Sequence, residues 1–466
     1  MSKAALPNYM QKHLAGEDIA PGHRFGLYFP VWQDNWTRAE SAKKEALKTV
    51  AKPLPPNSIK LAENLQKRQQ ALALQNPQLA YFPAKSTSPF MTGMGNEHPL
   101  ENGFAFLNPY GLPYLPGSSV KGVLRTAAEQ LALGIYGETG GWDMLSVWWL
   151  FGFEAGNFAI HKKPYDGDKV LVEEAQRRQA AYHKWVQQGH YEAQTLHKMI
   201  EATVSESKQP KFKNDPTLFL TTLSDEISLQ GSLCFWDVYP QSKKLAMDIM
   251  TPHHTGYFQG KNGVLNAPHD SEQPNPIVFL TIPPNSLFDF YCSCASARLP
   301  KALQENWQIL IRTAFEYAFD WLGFGAKTAV GYGQMNRDKD AEQNWEIHKN
   351  QLQQKAEDDR LQQALESKLA AFSPMAQQFI KKQENGKWLE HKDAFVQHGD
   401  IENWLDQLAT IPDEVVITHL TDLFDRHFPG LLSDPDKVQG KKQKPVFSDR
   451  QRKLAKALNA LKPNNK

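Results

Sequence analysis

Trp307, Leu310, Ile311, Ala314, Phe315, Ala318, Phe319 and Leu322 recur at i, i+3, i+4 and i+7 spacing for four turns, and Gly323 ends the series. A helix this amphipathic must lie against an apolar surface, and the chain beyond it cannot continue as helix. The next run, Gly323-Phe324-Gly325-Ala326-Lys327-Thr328-Ala329-Val330-Gly331-Tyr332-Gly333, holds four glycines, a lysine and a threonine. An earlier run, Leu115-Pro116-Gly117-Ser118-Ser119-Val120-Lys121-Gly122-Val123-Leu124-Arg125-Thr126, has the opposite order, a turn that opens a helix. Val120, Val123, Leu124, Ala127, Ala128 and Leu131 give that helix its apolar face, with Ser118 or Ser119 as N-cap and Lys121 and Arg125 on its flank. Glycine lets backbone approach a ligand, and free amides at turns and helix starts suit anionic oxygens, so both runs suit phosphate groups.

Strand signals fall at Arg24–Phe29, Gly231–Tyr239, Ile277–Ile282 and Leu287–Cys294, with a short final strand near Gly331–Met335. Helical material runs from about Asn35 to Gln75, broken by Pro53-Leu54-Pro55-Pro56, and the glycine-bearing stretch Thr92–Gly103 must be a loop. The order predicts an α+β fold, a ferredoxin-like (RRM-like) βαββαβ unit with helical insertions. A doubly wound sheet would need further strand–helix repeats that the chain lacks. Residues 1–337 form this domain, with a polar, weakly amphipathic helical insertion at about 161–215. Residues 338–436 are an appended helical region and residues 437–466 a basic tail.

That tail carries ten Lys/Arg against the single acid Asp449, which hides behind a whole-chain charge of +1 and leaves about −8 on the rest. It either grips a nucleic acid or acidic partner, or is a solvated end. Three cysteines, Cys234, Cys292 and Cys294, build no disulfide framework and fit a reducing compartment. With no apolar leader and no run of roughly 18 apolar residues, the expectation is a cytoplasmic protein away from membranes.

The glycine run is not a nucleotide-binding P-loop, because Ala326 stands before Lys327 where that loop needs glycine, and the run leaves a helix instead of entering one. It is either a structural turn or an RNA contact, with Lys327 as cation, Thr328 as hydroxyl and Tyr332 as a stacking ring. Asp248-Ile249-Met250-Thr251-Pro252-His253-His254 places an acid near two imidazoles, but at no defined metal spacing. Cys292 and Cys294 share one face of an apolar strand and read as core. Asp237, Asp248 and His98 could serve RNA cleavage, the acids through Mg²⁺ or a 2′-hydroxyl and His98 as base; the structural alternatives are capping and loop hydrogen bonds. No metal and no cofactor are expected.

Four stretches resemble the RAMP superfamily of CRISPR proteins, and within it a subunit of the type III-B (Cmr) effector complex: Gly93–Gly103, Pro113–Gly122, Asp237–Pro240 with Asp248–His254, and Gly323–Gly333. The resemblance covers roughly residues 20–335. It implies a non-catalytic subunit that packs near the 3′ end of a guide RNA beside other RAMP subunits and contacts guide RNA or its duplex with target RNA. Asn96, His98, Ser118, Ser119, Lys121, Arg125, Gly323, Gly325, Lys327, Thr328, Gly331, Tyr332 and Gly333 are the residues expected to touch that RNA. Related RAMP proteins mature guide precursors with histidines, so the rival expectation is a metal-independent endoribonuclease that uses His98 or His254.

Overall fold

Proline at position 21 starts helix α1 (Pro21–Gly26) where the sequence predicts a strand over Arg24–Phe29. Its ring fixes φ for the first helical position, and Phe25 and Phe29 are buried four residues apart, without the alternation a strand requires. The computed structural model describes residues 2–13, 16–76, 78–100, 102–135, 137–153, 169–221, 227–251, 276–398, 400–439 and 444–462. They fall into two compact units, Met1–His348 and Lys349–Lys466.

In the first unit the expected helical stretch is α2 (Lys43–Val50) and α3 (Pro56–Leu74), parted at the prolines. The described part of Thr92–Gly103 holds neither helix nor strand. Strand β1 (Leu79–Ser86), helix α4 (Gly117–Ala132), strand β2 (Leu233–Phe235), strand β5 (Leu287–Cys294), helix α8 (Lys301–Tyr317) and strand β6 (Met335–Arg337) follow in chain order. Between β2 and β5, strands β3 (Ala246–Met250) and β4 (Ile277–Thr281) make a separate antiparallel ladder with Asp248 opposite Phe279. The central sheet is antiparallel throughout, in the order β6-β1-β5-β2.

Register decides what each sheet face does. Phe82 and Ala84 on β1 sit opposite Phe290 and Phe288 on β5, and all four are buried. Phe82 stacks at 4.2 Å on Phe315 of α8, so the long amphipathic helix covers this face. On the other face Tyr81 pairs with Tyr291 and with Trp345, which lies early in helix α9 (Lys339–Leu369). Between α4 and β2, helix α5 (Met144–Phe151) is buried at all eight positions.

Further elements differ from the sequence reading: strand β1 (Leu79–Ser86) forms where the sequence reading expects no strand, and Ile277–Thr281, expected in the core sheet, pairs only with β3. The region read as a weakly amphipathic insertion contains α6 (Lys169–Gln188) and α7 (Ala193–Thr203), and their Tyr182, Trp185, Val186, Leu196, Met199 and Ile200 are buried in the main core. The i, i+3, i+4 spacing of these six is diluted by the charged residues around them. The last strand begins at Met335, because Gly331–Gln334 close the glycine loop instead.

The second unit has its own core, built from Leu369, Phe379, Trp388, Phe395, Trp404, Leu420 and Phe424 among others. Its helices are α10 (Pro374–Asn385), α11 (Lys392–His398), α12 (Ile401–Thr410), α13 (Glu414–His427) and α14 (Asp449–Leu461). The basic end is no solvated strand of chain where it is described. Ser448 and Gln451 form a capping box at the start of α14, and Leu454, Ala455 and Leu458 are buried. Arg450 pairs with Glu402 and Lys456 with Asp436 at 2.6 Å, so part of the positive charge is already met inside the unit. Among the described residues no helix is long and apolar enough to cross a membrane.

Candidate nucleic-acid interface

At the end of α8 the chain takes one π-turn, Ala318–Leu322, and enters the glycine loop at Gly323 with φ 67°. The loop is sewn to the fold by its backbone. Phe324 N–H donates to Gly333 O at 3.0 Å, Ala326 N–H to Met91 O at 2.8 Å, and Gly333 N–H to Pro89 O at 2.9 Å. Such proximity explains the glycines: a Cβ on Gly333 would stand 1.9 Å from Phe324 O and one on Gly325 2.2 Å from Met91 O. Gly331 meets nothing within 4 Å and is needed only for its φ of 92°.

Lys327 occupies the left-handed region at φ 59°, and Thr328–Val330 then turn right-handed. Among the described residues the amides of Gly325, Lys327, Thr328 and Ala329 have no partner, so three consecutive N–H groups are left for an acceptor. The Lys327 ammonium donates to the Met250 thioether at 3.1 Å, a contact that leaves its charge uncompensated. Tyr332 donates its hydroxyl to Asp248 Oδ2 at 2.7 Å, and burial together with that carboxylate pushes the phenol up to about 12. The glycine loop and strand β3, 80 or so positions apart in sequence, are thus one locus. His253 and His254 lie outside the described residues.

The start of α4 is less open than the sequence suggests. Neither Ser118 nor Ser119 caps it: Pro116 takes the cap position, both serines are exposed, and the Gly117 amide donates to Asp237 Oδ1 at 2.8 Å. A carboxylate two residues beyond β2 therefore already serves part of the helix terminus. Arg125 is bonded to Glu129 at 2.9 Å one turn on. Lys121 has no ion pair or hydrogen bond among the described residues, and burial, then the Arg125 charge, pull its amine below the ordinary range.

His98 is committed to the fold at both nitrogens. The Leu100 amide donates to Nδ1 at 3.1 Å, which fixes the proton on Nε2, and Nε2 donates to Phe25 O at 2.9 Å. The ring stacks on Phe25 at 3.6 Å, and burial lowers its pKa despite the carbonyl. No nitrogen remains for a phosphate or for general base work. Asn96 is exposed on the same loop.

Cys292 is buried and Cys294 half-buried, as core residues, and burial pushes the Cys294 thiol up to about 12. Among the described residues no group of three or more His, Cys, Asp or Glu is arranged to hold a metal ion. Sequence inspection missed two relationships, Asp237 with Gly117 and Tyr332 with Asp248, because side-chain pairing across such separations leaves no local pattern.

The family model described as the RAMP superfamily matches residues 84–336. Among curated proteins, the CRISPR system Cmr subunit Cmr6 of Pyrococcus furiosus is 26% identical over 257 residues, covering 54% of this chain and 66% of that relative. Among solved structures, a crystal structure of Cmr6 from Pyrococcus furiosus aligns at 22% identity over 56% of this chain and 97% of that one, with a TM-score of 0.26. A cryo-EM structure of the type III-B Cmr-beta complex bound to cognate target RNA contains a chain 14% identical, covering 71% of this chain and 86% of its own length, with a TM-score of 0.33.

Proposed function

Because the chain belongs to the RAMP superfamily, whose model spans residues 84–336, we propose that it is a non-catalytic RNA-binding subunit of a type III-B CRISPR effector complex. The β6-β1-β5-β2 order, with α4 and α8 as crossovers, is read as the ferredoxin-like unit of that family. Guide RNA, target RNA and neighbouring RAMP subunits are its partners, near the 3′ end of the guide, in antiviral defence in the cytoplasm.

The observation that carries the RNA reading is the glycine loop's Lys327, without an acid partner among the described residues, beside three consecutive amides at Lys327, Thr328 and Ala329 that have no acceptor among those residues. One ammonium and a concave row of N–H groups meet phosphate oxygens without reading a base, as suits a subunit whose sequence specificity resides in guide pairing. Lys121 adds a second cation, and Ser118 and Ser119 add exposed hydroxyls at the start of α4. Gly323, Gly325, Gly331 and Gly333 give the loop its shape, and Tyr332, tied to Asp248, holds its closing end. Arg125 and His98 support the fold around the site.

A cleaving role has less to work with. Asp237 and Asp248 are each engaged by a protein donor, and His98 offers neither nitrogen. The test is purification of the tagged full chain from its native host, with mass spectrometry and small-RNA sequencing of what accompanies it. Co-purified RAMP subunits with repeat-derived guide RNA are expected; a lone protein free of RNA overturns the proposal.

A further inference from the structure

Trp321 is 74% exposed on the π-turn that precedes the glycine loop, and Val330 within the loop is 70% exposed. An indole left in water forgoes one of the largest burial gains available to a side chain. The turn closes helix α8 as a π-helical segment, a rare geometry. Here Ala318 and Phe319 anchor it in the core while Trp321 faces outward.

What surrounds the turn identifies the partner. Helix α4, the bearer of Lys121, packs against this turn. Thr328 Cγ2 comes within 3.2 Å of where a Cβ on Gly323 would stand, which brings the unpartnered amides back against the residue two past Trp321. Lys327, a cation without an acid partner among the described residues, therefore shares this locus with an exposed aromatic plane. Flat apolar rings on a polyanionic chain match that combination.

We propose that Trp321 stacks on an unpaired base of the RNA whose backbone follows Lys327, so that this locus holds a single-stranded segment. Bases inside a duplex are stacked on each other and offer no face to an indole. The proposal rests on the RNA-binding function assigned to the same loop, and the experiment separates the two.

The full chain is titrated with a single-stranded oligoribonucleotide, and with a duplex of the same sequence, over a salt series. Trp321→Ala weakens single-strand binding by roughly 5- to 100-fold, the usual effect of losing one base–aromatic stack. Trp321→Phe restores most of it, the salt slope stays that of the unaltered protein, and duplex affinity does not change. If Lys327→Glu weakens binding while Trp321→Ala does not, the stacking role is overturned and the RNA-binding function stands. If the unaltered chain binds neither RNA, both fall. Should Trp321→Ala keep full RNA affinity yet lose co-purifying subunits, the indole is a protein anchor and the proposal is overturned.

Discussion

Asp237 Oδ1 accepts the Gly117 amide at 2.8 Å, across 120 positions of sequence, and so ties the chain just beyond strand β2 to the first turn of α4. The carboxylate does the work of an N-cap side chain that neither Ser118 nor Ser119 performs. Asp237→Ala is expected to destabilise the first unit by about 0.5–2 kcal/mol, the usual cost of a lost cap. Asp237→Asn, which keeps an acceptor oxygen, retains most of that stability. Urea denaturation followed by far-UV circular dichroism measures both, and equal stability of the alanine variant would show that the contact contributes nothing.

His98 gives the first unit a pH dependence of known sign. Its folded-state pKa is lowered by burial, so between that value and the unfolded value of about 6.5 the unfolded chain binds the extra proton. The stabilisation is complete above about pH 6.5 and is lost as pH falls through the folded pKa. The denaturation midpoint should drop between about pH 7.5 and 5.5, and the drop should shrink in His98→Gln. An unchanged pH profile in that variant would mean that other groups account for the loss.

Legibility from sequence followed the length of the signal. Helix α8 was plain because its apolar period persists for four turns, whereas the inner strand β1 (Leu79–Ser86) carried no strand expectation and Ile277–Thr281, expected in the core order, pairs outside the central sheet. The misread strand at Arg24–Phe29 does alternate in sequence, with Phe25, Leu27 and Phe29 apolar, but Pro21 just outside the window opens a helix, and Leu27 is left 58% exposed. The insertion's apolar stripe at Tyr182, Trp185 and Val186 was drowned by its charged neighbours. In the candidate site, the cation and the glycines could be read. The commitments that consume His98, Arg125 and the Asp237 carboxylate could not, since each depends on a partner that only the folded chain brings near.

The glycine loop should show unequal sensitivity to the same small change. Gly333→Ala puts a methyl 1.9 Å from Phe324 O at φ 72°, where neither atom has room to give. A loss on the order of 3 kcal/mol is expected from clash and strain together. Gly331→Ala meets no atom and pays only for its left-handed backbone, about 1–2 kcal/mol. Thermal melts of the two variants measure the difference, and a Gly331 variant as unstable as the Gly333 one would contradict the packing described for the loop.

Lys327 separates an electrostatic contact from a structural one. Among the described residues its ammonium has only a thioether within reach, so replacing it costs the fold no ion pair seen there, whereas removing a phosphate contact from a single strand makes the dependence of log K on log salt shallower by about 0.7. Lys327→Gln should therefore melt like the unaltered chain while binding single-stranded RNA more weakly at low salt, with the difference closing as salt rises. Lys327→Arg keeps the charge and should keep the slope. A Gln variant that binds with full affinity and an unaltered slope would remove Lys327 from the interface and leave the glycine loop a structural turn.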